Sequence, residues 1–174
     1  MWKRLLLLTL ILSTACLAVP REIGFQMQPR FRVDGSSMRP NFPPGTIFVI
    51  DDEAYIDSLP ERGDIIIFKH PRSNLDLLKR VIGLPNEEVV VRNGSIFIND
   101  VELHEPYTAG PPNYSNSWTV GENELFVLGD NRNSSSDSHS WGMLPVELVI
   151  GQATRACTEN SAASCTRLEP VNYE

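Results

Sequence analysis

Asn93-Gly94 restricts this chain more than any other feature, because both residues accept a left-handed backbone and stand between two β-forming runs. Glu88-Val-Val-Val-Arg92 on one side and Ser95-Ile-Phe-Ile98 on the other read as the arms of a hairpin with a two-residue turn. Asn99-Asp100 offers a second tight turn into Val101-Glu-Leu103. The rest follows the same grammar. Pro43-Pro-Gly45 is a turn before the β-branched run Thr46-Ile-Phe-Val-Ile50, and Arg62-Gly-Asp64 leads into Ile65-Ile-Ile-Phe68. The last run is apolar at every position, as in a strand buried on both faces, and Glu124-Leu-Phe-Val-Leu128 is another of that kind. Pro71-Arg-Ser-Asn74 is a loop before the strand at 75–82, and 105–118 is rich in Pro, Gly, Asn and Ser, as a long exposed loop would be. No amphipathic helical pattern follows residue 20, so the expected fold is all-β and antiparallel.

Charge and cysteine content exclude some partners. The net charge is −7, with acids concentrated in Asp51-Asp-Glu53, Asp57, Glu61 and Asp64. No basic stripe of the kind that binds nucleic acid is present. Cys16, Cys157 and Cys165 have no metal-ligand spacing, and no metal or organic cofactor is expected. Cys157 and Cys165 suit a disulfide in an oxidising compartment, and equally two free thiols.

At the N-terminus Trp2-Lys-Arg4 precedes an apolar run at 5–19, closed by Pro20-Arg-Glu22. As a helix that run spans about 22 Å, short of the ~30 Å hydrocarbon core. An interfacial Trp2 and snorkelling Lys3 and Arg4 would make up part of the deficit of an anchor. Ser13-Thr-Ala15 and Cys16-Leu-Ala18 equally suit a cleaved leader. Both readings keep Lys3 and Arg4 inside and send the body of the protein outside.

In Phe31-Arg-Val-Asp-Gly-Ser-Ser-Met-Arg-Pro40, Gly35 permits a bend and Pro40 keeps Arg39 out of a helix. The two serines therefore sit on a constrained loop, either a plain connection or a placed nucleophile. A serine nucleophile needs a base. His70 and His104 read as surface positions, while Asp137 and His139 share a face, as a surface salt link or a mimic of a His–Asp pair. Lys79 is the other candidate. Along Leu77-Leu-Lys-Arg-Val-Ile82, Lys79 shares a face with Leu77 and Val81, and Arg80 shares the opposite face with Leu78 and Ile82. One basic side chain must then lie among apolar neighbours, and a desolvated lysine, unlike arginine, can lose its proton near neutral pH.

Ser37-Met-Arg-Pro40, Arg62-Gly-Asp-Ile-Ile-Ile-Phe68, Lys79-Arg-Val-Ile-Gly-Leu-Pro85 and Gly129-Asp-Asn-Arg132 with Ser135-Ser-Asp-Ser138 and Trp141-Gly142 occur in that order. That series, over about residues 25–155, resembles the type I signal peptidases, membrane-anchored serine proteases that remove signal peptides from exported proteins. The resemblance implies that Ser37, rather than Ser36, is the nucleophile and Lys79 the general base. It implies that Ser135 orients the lysine amine, that Asp137 braces the same loop, and that Asp130 and Arg132 support it. Gly35 stands where some members carry an oxyanion-hole hydroxyl, which leaves the Ser37 N–H as the identifiable donor. Two departures are visible: Asn86-Glu87 follows Gly-Leu-Pro where many members have Gly-Asp, and His139 stands where an arginine usually pairs with the aspartate.

The implied architecture is one N-terminal transmembrane helix over 1–24, a β-rich peptidase domain over 25–157 with a minimal hairpin subdomain inserted at about 86–123, and a poorly ordered polar tail over 158–174. The implied setting is a single pass of the plasma membrane with the catalytic domain on the extracytoplasmic side. Phe25, Met27, Phe31 and Met38 would seat that domain on the bilayer. The implied partners are exported preproteins with small residues at the minus-one and minus-three positions. The rivals are a Ser–Lys peptidase dedicated to one substrate, and a non-catalytic β-domain that binds through 105–118.

Overall fold

The computed structural model describes residues 28–158, 165–171 and 173, so the N-terminal apolar run, read above as an anchor or a leader, lies outside the described residues. Strand β1 (Arg30–Arg32) is followed by β2 (Ile47–Asp51), β3 (Ile65–Lys69) and β4 (Asp76–Gly83). Next come β5 (Glu88–Arg92), β6 (Ser95–Ile98), β7 (Val101–Glu102), β8 (Asn116–Thr119) and β9 (Glu124–Leu128). A one-turn helix α1 (Ser138–Trp141) leads to β10 (Leu144–Pro145), β11 (Val149–Cys157) and β12 (Cys165–Arg167).

These strands form two antiparallel sheets. The larger has the order β1-β2-β11-β3-β4-β9-β10, with β12 also paired to β11. The smaller has the order β7-β6-β5-β8. The expected hairpin is β5-β6, with Arg92 opposite Ser95 and Asn93 and Gly94 at φ 53° and 81°. Both central residues are left-handed, as a type I′ turn requires. Asn99 and Asp100, at φ 48° and 68°, repeat that geometry between β6 and β7. The subdomain is larger than expected because β8 pairs with β5, with Trp118 opposite Val89. The long loop therefore ends at 115; Asn116, Ser117 and Thr119 are exposed, so burial imposed no alternation there that the sequence could show.

The all-apolar β3 is buried on both faces. Ile65 and Ile67 pack with Met38, Phe48 and Leu78, whereas Ile66 and Phe68 pack with Val81, Leu125, Val127 and Trp141. A third cluster joins the sheets: Ile82, Phe126 and Leu128 of the larger pack with Val89, Val91 and Ile96 of the smaller. The small sheet is thereby fixed to the ends of β4 and β9, the strands that carry the site.

The C-terminal segment departs from the expected tail. Cys157 and Cys165 lie directly opposite each other on β11 and β12 and are joined by a disulfide, with Cα atoms 4.1 Å apart. The Leu168 N–H donates to Thr154 O at 2.9 Å, and its side chain packs on the cluster around Phe48. Tyr173 lies against Gly63, whose φ of +94° and whose distance of 2.9 Å from the ring, measured from a hypothetical Cβ, leave room only for glycine. Backbone pairing and a covalent link hold this polar segment, and neither leaves an apolar pattern to read.

Candidate active site

The serine loop leaves β1 and is closed at its base, where the Val33 N–H donates to Thr46 O and the Gly45 N–H to Val33 O, at 2.9 and 2.7 Å. Met38 plugs it into the core with no exposed surface, so the adjacent Ser37 is held by a buried side chain. Buried Met38 does not reach a bilayer; Phe31 packs partly against the same cluster, and Phe25 and Met27 lie outside the described residues. The Arg39–Pro40 bond is cis. Gly35 is not needed for the bend: its φ is not left-handed, and an added Cβ would meet nothing within 4 Å.

Lys79 stands on β4, between β3 and β9 and opposite Ile66, and is 3% exposed. Its Nζ donates to Ser37 Oγ at 2.9 Å and to Leu78 O at 3.0 Å. Burial pulls its pKa from 10.5 down to about 8, against the opposing pull of the Asp137 and Asp130 charges. Arg80, on the opposite face of the strand, is buried as well, so both basic side chains lie in the interior rather than the one that strand alternation required. The arginine is neutralised: Nε and Nη2 bind Asp130 Oδ1 and Oδ2, each at 2.8 Å, while Nη1 donates to Gly63 O. Tyr107 covers its guanidinium at 4.1 Å from the ring centroid. Among the described residues no carboxylate pairs with Lys79. One buried cation is thus locked in its charged form, and the other can release its proton.

The loop after β9 holds the serine loop in place. Asp130, paired with Arg80, also accepts from Asn41 Nδ2 at 2.9 Å. The Asn131 N–H donates to Ser37 O at 2.9 Å and its Nδ2 to Ser36 O at 3.2 Å. Arg132 is buried, donates to Gly129 O and binds Glu105 through both Nη atoms. Asp137, fully buried, caps α1: Oδ2 accepts the Gly129 N–H at 2.9 Å, and Oδ1 accepts the His139 N–H at 3.2 Å. His139 Nδ1 lies 2.6 Å from the same Oδ1, and its ring stacks on Tyr114 with centroids 4.3 Å apart. That pair is therefore no surface link. His70 is equally occupied, because Nδ1 accepts the Arg72 and Ser73 N–H groups and the ring meets Trp141 edge to face. His104 is exposed.

Ser135 departs from expectation. Its Oγ is buried without a hydrogen-bond partner, so the bond expected with Lys79 is not made. The Lys79 amine spends its contacts on Ser37 and the Leu78 carbonyl, while Ser135 packs over Gly129 beside Ser37 O, where any larger residue would collide with both. Asn41, Asn131, Glu105 and Tyr107 escaped sequence reading as parts of this site. Asn131 stood inside the Gly-Asp-Asn-Arg motif, but its partners lie in a loop distant in sequence.

Ser37 and Lys79 open onto a cleft of about 320 Å³ lined by Phe31, Val33, Gly35, Leu77 and Leu78. A larger cavity of about 590 Å³, bordered by His104, Glu105 and Arg132, touches neither. A hydroxyl 2.9 Å from a buried amine that deprotonates near pH 8 has what nucleophilic attack on a carbonyl requires.

The sequence matches the family described as signal peptidase, peptidase S26, over residues 2–157. It is 38% identical over 138 residues to the Probable signal peptidase I-1 of Synechocystis, covering 74% of this chain and 70% of that protein. It is 36% identical over 156 residues to the signal peptidase I of Leptolyngbya laminosa, covering 82% and 75%. A crystal structure of a signal peptidase I from Enterococcus faecalis V583 superposes with a TM-score of 0.52 at 36% identity, covering 55% of this chain and 97% of that one.

Proposed function

This chain belongs to the signal peptidase, peptidase S26 family of serine endopeptidases, and we propose that it removes signal peptides from exported preproteins with Ser37 as nucleophile and Lys79 as general base. The observation that carries this reading is the 2.9 Å contact between Ser37 Oγ and Lys79 Nζ. In the working form the amine is neutral, so the hydroxyl donates along that contact. Lys79 takes the proton as Ser37 Oγ attacks the scissile carbonyl, and the Ser37 N–H, which donates to no group among the described residues, receives the developing oxyanion. The Lys79 ammonium then protonates the departing amine and the mature protein leaves. A water molecule, deprotonated by Lys79, hydrolyses the acyl-enzyme and frees the signal peptide.

The run at 5–19 serves as a retained anchor that keeps the cleft near the membrane, where leader peptides emerge. The cleft takes an extended segment with small residues at the minus-one and minus-three positions. The test is cleavage of a model preprotein in detergent. Ser37→Ala abolishes it in a folded protein while Ser36→Ala keeps substantial activity; the reverse ranking overturns the assignment.

A further inference from the structure

We infer that Asn131 is a positioning residue for the oxyanion donor of this dyad, acting through the peptide group that joins Ser36 to Ser37. A peptide unit is planar and this one is trans, so the Ser36 carbonyl and the Ser37 N–H lie in one plane and point in opposite directions. Whatever fixes that carbonyl fixes the direction of that N–H. Asn131 Nδ2 donates to Ser36 O at 3.2 Å from outside the serine loop. The other donor to this oxygen, the Arg39 N–H at 3.2 Å, belongs to the same turn and moves with it.

The backbone N–H of Asn131 donates to Ser37 O at 2.9 Å, so one residue grips the carbonyls on both sides of the Ser37 Cα. Asn131 is itself placed by rigid neighbours. Asp130 before it is locked to Arg80, and Arg132 after it is locked to Glu105 and to Gly129 O. Asn41 ties the far end of the serine loop to the same Asp130. The grip leaves the Ser37 N–H facing away from the protein contacts, ready for charge that exists only once the carbonyl has been attacked.

The inference rests on Ser37 being the nucleophile, and its test separates the two. Asn131→Leu keeps the approximate shape without the side-chain donor, Asn131→Ala removes the side chain, and neither adds a charge near Lys79. Two peptides of one sequence are bound to each enzyme: an aldehyde, which forms a tetrahedral adduct with Ser37 Oγ, and the corresponding alcohol, which forms none. In both variants the preference for aldehyde over alcohol falls about 10- to 100-fold and kcat falls with it, as for a weakened oxyanion donor. Affinity for the alcohol and the pH at which activity rises stay at their wild-type values, and the melting temperature falls by no more than the few degrees that one lost hydrogen bond accounts for. An unchanged aldehyde preference, or equal losses for both peptides, overturns the role of Asn131. A Ser37→Ala enzyme that still cleaves overturns the dyad beneath it.

Discussion

Replacing Lys79 with methionine exchanges a buried amine for an uncharged side chain of similar length, and the effect on stability is predicted to depend on pH. The folded pKa is about 8 against 10.5 unperturbed, because burial disfavours the charged form. Between those values the unfolded chain binds a proton that the folded protein does not, so stability rises with pH across that window. Below about pH 8 both states are protonated and the full penalty of holding the ammonium in the interior is present; above 10.5 both are neutral and it is gone. Each tenfold in proton affinity is worth about 1.4 kcal/mol, so the penalty is about 3 kcal/mol at pH 7. Lys79→Met removes it and also loses the bonds to Ser37 Oγ and Leu78 O, a pH-independent loss of about 1 kcal/mol each. The melting-temperature difference, variant minus wild type, therefore falls by roughly 6 to 12 °C between pH 7 and pH 10.5, read by circular dichroism or calorimetry. Tyrosines that titrate at high pH are present in both proteins and cancel. A difference that stays constant across that range refutes the claim that burial depresses the Lys79 pKa.

Gly35→Ser places a hydroxyl in open space two residues before the nucleophile, and preprotein cleavage should quicken up to about tenfold with no loss of stability. Arg80→Met strands the buried Asp130 carboxylate and should lower stability by about 3–5 kcal/mol in chemical denaturation. Changing Cys157 and Cys165 together to serine frees a loop with a sequence separation of 8, and the unfolding midpoint under non-reducing conditions should fall by the equivalent of about 2.5 kcal/mol.

What the sequence revealed was local. Asn93-Gly94 specifies its turn through two residues that both tolerate positive φ, and Ile65-Ile-Ile-Phe68 announces burial on both faces. The Lys79 position was legible because strand alternation sets a charge beside Leu77 and Val81. The fate of Arg80 was not, because its neutralising carboxylate is 50 residues away and only the pairing of β4 with β9 brings Asp130 near. Asn131 was hidden for the same reason, its partner Ser36 being 95 residues distant. Ser135 shows the opposite error: the motif named a partner for its hydroxyl, but packing over Gly129 leaves it without one. At the C-terminus a disulfide and a short edge strand order residues whose composition suggested a loose tail.

The pH dependence of preprotein cleavage tests the Ser37–Lys79 dyad most directly, measured as kcat/KM from pH 5 to 10 for wild type, Lys79→Arg and the histidine variants. Activity rises through about pH 8 as the Lys79 ammonium gives up its proton. Lys79→Arg, which keeps the charge but cannot accept a proton, is inactive by orders of magnitude, while His70→Ala, His104→Ala and His139→Ala keep the same inflection. An inflection in the range of an ordinary histidine that disappears in one histidine variant, or a Lys79→Arg enzyme near the wild-type rate, contradicts the account.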